Sequence, residues 1–161
     1  MSGWEGPYRR EELPPDAGAA LAQAEGMAIV GRIADRIGSR PPNEQSNAIL
    51  VRWGRELARR LAAREIKGCK HLRSGVAEPM VWMVFAPELI RCRTCAADQC
   101  AATTGTPLDN ECDGCGAVDC PELSVTIGVI GAGVMSYPDA LIPVGPIIVQ
   151  GAVCRACGGP E

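Results

Sequence analysis

Eight side chains able to bind a transition metal fall into four close pairs: Cys69-x-His71, Cys92-x-x-Cys95, Cys112-x-x-Cys115 and Cys154-x-x-Cys157. A Cys-x-x-Cys turn sets two sulfurs side by side under backbone amides, and the thiolate is the form that binds metal. A tetrahedral structural zinc takes four such ligands, so four pairs supply two closed sites. The only histidine of the 161-residue chain is one of the eight. Gly116 and Gly158 directly follow the second cysteines of the last two pairs, where a knuckle turn needs a left-handed residue.

Four pairs can be grouped in three ways. Sequential grouping joins Cys69/His71 to Cys92/Cys95 and Cys112/Cys115 to Cys154/Cys157. A second grouping joins Cys92/Cys95 to Cys112/Cys115 across a 16-residue spacer that also suits zinc. A crossed arrangement is the third. The sequential one is favoured, because 123–153 reads as one hairpin whose base carries both flanking knuckles. Cys100 and Cys120 are left over, each five residues after a paired cysteine, a faint internal repeat. They read as small buried apolar residues, with alternative ligation or a redox pair as the functional alternatives. Zinc is the expected metal at both sites; an all-thiolate site also accepts iron.

Catalytic zinc keeps an open position, whereas matched pairs close both sites. A zinc deaminase needs His-x-Glu, and here Leu72 and Arg73 follow His71. Gly131-Ala-Gly133 resembles the start of a dinucleotide fingerprint, but Pro138, Pro143 and Pro146 prevent the helix that must follow. With no second histidine to serve as a base, no catalytic residue is assigned and no enzyme is expected.

Paired knuckles at hairpin ends over about 69–158 resemble the zinc-ribbon (rubredoxin-like) superfamily. The Cys69-x-His71-Leu72 start, with Trp82 and Cys92-x-x-Cys95-x4-Cys100, is also similar to ubiquitin-binding zinc fingers, although the later histidines of that family are absent. The ribbon resemblance implies a small β fold closed by zinc. Such folds serve transcription, replication, ribosomes and protein adaptors alike, so it bears on fold more than on function.

The elements that must carry these pairs follow from periodicity. Residues 1–15, with Gly3, Gly6, Pro7, Pro14 and Pro15, read as a flexible arm. A helix is expected over 17–37, with Met27, Val30, Ala34 and Ile37 as its apolar face and Gly18, Ala22 and Gly26 as a small-residue stripe. After a break at 38–43, a second helix runs over 43–66, with Ile49, Trp53, Leu57 and Leu61 as its stripe and Gly68 at its end. The two helices are expected to pair as an antiparallel hairpin over 16–68. Strands follow at 80–85, 123–130 and 142–153, with 101–111 a polar loop and 131–139 a turn. The expected class is α+β: a helical hairpin, then a β-rich double zinc-ribbon-like module over 69–161.

Charge divides along the same line. Residues 1–68 carry 11 basic and 9 acidic side chains, and 69–161 carry 5 and 10. Three thiolates around zinc add −1 and four add −2, taking the second half from −5 to roughly −8, a surface that repels phosphate backbones. The basic helix 43–67, with Arg52, Arg55 and Arg59, is the candidate contact for nucleic acid or an acidic partner. Trp82 and Phe85 are the candidate apolar contact for a protein. The opening residues lack the basic start and apolar core of a secretory leader, so a cytoplasmic location without membrane contact is expected. Fourteen Arg against two Lys suggests a GC-rich bacterial or phage source. The functional expectation is a zinc-stabilised, non-enzymatic interaction or adaptor protein. A nucleic-acid-binding regulator and a thiol-redox protein using Cys100 and Cys120 are the alternatives.

Overall fold

The structure is a computed structural model that describes residues 9–37, 44–73, 75–120 and 122–158. Helix α1 spans Pro15–Ile37 and α2 spans Glu44–Ala62; strands β1 (Lys67–Gly68), β2 (Met80–Met83) and β3 (Leu89–Arg91) lead to α3 (Arg93–Thr103). Strands β4 (Leu123–Ile130), β5 (Gly133–Tyr137), β6 (Ala140–Val144) and β7 (Ile147–Cys154) complete the chain. The main sheet has five strands in the order β1-β3-β2-β7-β4, and β5-β6 is a separate two-stranded sheet.

The run Met80-Val-Trp-Met and the start of β7, Ile147-Ile-Val, are apolar without alternation. A strand with that texture must be buried on both faces. Trp82, Val149 and Val153 point to one face and meet Ile49, Trp53 and Leu57 of α2. Val81, Met83 and Ile148 point to the other and meet Ile29 of α1 and Ala96 of α3. The two N-terminal helices therefore cover opposite faces of the sheet and do not form the expected hairpin with each other. Placed on opposite faces, they let the sheet exclude water from both sides.

Several expectations change with this arrangement. The small stripe Gly18, Ala22 and Gly26 is the buried face of α1, and a Cβ on Gly26 would lie 2.8 Å from Pro146 Cγ. The close approach is thus to the link between β6 and β7. Met27 points outward, 54% exposed. In α2, Leu61 is also exposed, because the helix ends at Ala62. Arg64 takes the left-handed conformation (φ 56°), with Arg64 N donating to Leu61 O and Glu65 N to Arg60 O. That closing pattern usually recruits glycine, and here it leaves Gly68 free to act as a strand residue. The supposed turn at 131–139 contains β5, and only Pro138 and Asp139 separate it from β6. Most of the supposed arm, residues 1–8, lies outside the described residues, as does the break at 38–43. Arg9–Leu13 is folded: Arg10 ion-pairs with Glu25.

Arg91 is the one charged residue among the described residues that is fully inside. Its Nη1 donates to Ala86 O (2.9 Å) and Leu89 O (3.1 Å), and its Nη2 to Glu88 Oε1 (3.0 Å) and Gln99 Oε1 (3.4 Å). It ties the β2–β3 turn to α3. Arg91→Met keeps the stem and orphans buried carbonyls, so a loss of about 2 kcal/mol is expected by urea titration, with Glu88→Gln nearly neutral.

Candidate metal centres

Two quartets form, Cys69/His71/Cys92/Cys95 and Cys112/Cys115/Cys154/Cys157, each with its ligand atoms within 4.8 Å of one another. This is the sequential grouping. The strand registers explain it. β1 and β3 run parallel, Lys67 beside Leu89 and Gly68 beside Ile90, so Cys69 and Cys92 emerge side by side. β4 and β7 run antiparallel, Leu123 opposite Cys154, so the loop before β4 meets the end of β7. Because β2 pairs antiparallel with β3 and parallel with β7, the C-terminal ends of β3 and β7 point opposite ways. The two quartets therefore sit at diagonal corners of the sheet.

In the first quartet, Cys92 is the N-cap of α3, a helix not expected from the sequence and whose last residues, 101–103, fall in the expected loop 101–111. Its Sγ accepts from Cys95 N (3.5 Å), and Cys69 Sγ accepts from Cys92 N (3.2 Å). His71 Nδ1 lies 3.1 Å from Cys95 Sγ. Burial raises the Cys69 thiol, but the backbone N–H groups of Cys92 and His71 outweigh it and hold the pKa below the usual thiol value. Cys95 is pushed up to about 11, first by its contact with Cys92.

In the second quartet, Cys112 is fully buried and its Sγ accepts from Cys154 N (3.2 Å) and Gly114 N (3.3 Å). Burial raises this thiol too, yet the amides of Cys154, Cys115 and Gly114 bring it down to about 6. Cys157 goes the other way, to about 12, through burial and then the three neighbouring thiols. Gly116 (φ 75°) and Gly158 (φ 118°) occupy the left-handed region after each knuckle. The Cys115 and Cys154 sulfurs are 3.9 Å apart, near the roughly 3.8 Å edge of a tetrahedron of sulfurs around zinc and far beyond the ~2.05 Å of a disulfide. All nine cysteines are free.

The donor sets fit a metal cation. In each quartet one thiol is eased toward thiolate while another is driven up by its neighbours, because crowded thiols cannot all ionise without a compensating positive charge. A dication supplies that charge. Both quartets fit zinc-ribbon-like sites.

Cys100 and Cys120 join neither quartet. Cys100 packs against the core on the α1/α3 side and Cys120 against the core on the α2 side, so they do not form a pair. Burial raises both thiols, and the cysteines of the second quartet raise Cys120 further. Cys120→Ser is expected to leave metal content unchanged and to cost less than about 1.5 kcal/mol, checked by elemental analysis and a denaturant titration.

Two candidate contacts are relocated. Trp82 is 1% exposed and donates its indole N–H to Pro87 O (3.1 Å), so it is a core residue and cannot receive a partner. Phe85 is half-buried against the α1/α3 core. The basic helix is largely self-engaged: Arg59 and Arg60 bind Glu56 and Glu65, and Arg52 Nη2 donates to Gly114 O (2.7 Å). Arg55 remains exposed. Among the described residues, no helix is long and apolar enough to cross a membrane. No protein-family model matches the chain, and no curated protein or solved structure matches it.

Proposed function

We propose that the protein is a non-enzymatic interaction or adaptor module built around two structural zinc ions, one held by Cys69, His71, Cys92 and Cys95 and one by Cys112, Cys115, Cys154 and Cys157. The observation that carries this reading is the completeness of both quartets. Four protein ligands leave no open position for substrate or water, which is the mark of a structural site. Zinc is favoured over iron because it suits a quartet containing imidazole as well as one of thiolates alone. The nucleic-acid reading is weakened by the ion pairs that already occupy the basic helix.

Elemental analysis of the purified full chain is the test. Two zincs per chain are expected, together with no shift of DNA or RNA in a gel at low salt. One metal or none would overturn the two-site reading, and tight salt-dependent nucleic-acid binding would overturn the adaptor reading.

A further inference from the structure

The start of α2 is seated on the second quartet. A Cβ on Gly158 would lie 3.2 Å from Gln45 Cβ and 3.3 Å from Ser46 N, so the second knuckle and the first turn of α2 are in direct contact. Trp53 and Asp113 both crowd Gly151, whose Cβ would fall 2.6 Å from Trp53 Cη2 and 3.0 Å from Asp113 Oδ2. Asp113 fastens its knuckle to β7 twice, its N donating to Ala152 O (2.8 Å) and its Oδ2 accepting from Ala152 N (2.7 Å). Arg52 reaches from α2 to the carbonyl of Gly114, inside the Cys112–Cys115 turn.

Gly114 also donates its own N–H to Cys112 Sγ (3.3 Å), so the residue that Arg52 holds is one that addresses the buried ligand. Held by its carbonyl, Gly114 keeps the turn in which its N–H meets the sulfur, a contact in the layer around the ligands. Groups in this outer layer typically set metal affinity by 10–100-fold. On the reading that the second quartet holds a metal, we infer that α2 is its outer clamp: Arg52 is a positioning residue for the Cys112–Cys115 knuckle, and metal binding there and docking of α2 reinforce each other. The coupling is reciprocal by thermodynamic necessity. The first quartet, at the opposite corner and built on α3, provides an internal control.

The test uses the metal-loaded full chain. Cysteine alkylation by iodoacetamide under chelator competition is followed residue by residue by mass spectrometry. In Arg52→Met, alkylation of Cys112, Cys115, Cys154 and Cys157 is expected to quicken about tenfold, with Cys69, Cys92 and Cys95 unchanged and Arg52→Lys partly restoring protection. Hydrogen exchange of wild type should show amides of 44–62 losing protection as the second quartet loses metal. Equal alkylation of wild type and Arg52→Met, or equal acceleration of both quartets, would overturn the coupling while leaving the metal reading intact. Protein isolated without any metal would overturn both.

Discussion

Chelation at neutral pH is expected to unfold the protein, seen as loss of near-ultraviolet circular dichroism and of a cooperative thermal transition. The sequence offers a single Phe and three Trp in 161 residues, and the apolar core among the described residues is split between two faces of one sheet. Each quartet fastens a corner that few side chains would otherwise hold: β1, two residues long, at one edge, and the 112–120 loop at the other. Structural zinc in small domains contributes apparent binding energies of about 10–16 kcal/mol, against a net folding stability of about 5–15 kcal/mol. Removing two such ions therefore exceeds the whole margin. Cys112→Ser should reproduce half of this, dropping metal content from two to one and exposing the α2 face, because Cys112 is the buried ligand and its sulfur accepts from the backbone N–H groups of Gly114 and Cys154. A chain that stays compact and melts cooperatively in chelator would rule out the metal as its organiser.

Gly145→Ala is expected to cost roughly 3–5 kcal/mol and lower the melting temperature by about 8–15 °C. An added Cβ would fall 1.9 Å from Glu78 O and 2.7 Å from its C and N. The obstacle is backbone, so no rotamer change relieves it. Movement of the Glu78 segment, which leads into β2, would also disturb Met80 N donating to Pro146 O (2.9 Å), which starts the parallel pairing of β2 with β7. Gly31→Ala is the matched control. Nothing lies within 4 Å of its added Cβ, and it sits inside α1, so helix propensity alone predicts a gain of about 0.5–1 kcal/mol. Opposite signs for one chemical change would show that backbone proximity, and not glycine content, decides the outcome; equal small effects would refute the tight approach at Gly145.

What could be read along the chain was whatever depends on neighbours in sequence. The Cys-x-x-Cys turns, the left-handed Gly116 and Gly158, the Ile49–Trp53–Leu57 stripe and the positions of β2 and β4 all rest on residues near in sequence, and all appear in the fold. The single strand expected over 142–153 is instead divided at Gly145–Pro146 into β6 and β7, which belong to different sheets. Helix α3 was hidden because its sequence has little amphipathic contrast and begins inside a ligand pair, where the Cys92 sulfur serves as its cap. The end of α2 was displaced because a non-glycine residue, Arg64, took the left-handed turn.

Placement across the sheet was beyond such reading. Strands apolar on both faces carry no in/out alternation, so nothing local says which helix covers which side. That choice set α1 against α2 across β2 and β7, buried Trp82, and drew Arg52 onto the Gly114 carbonyl. Local turns are governed by backbone conformation within a few residues, whereas these juxtapositions follow from the free energy of drying two faces at once, a property of the assembled layers.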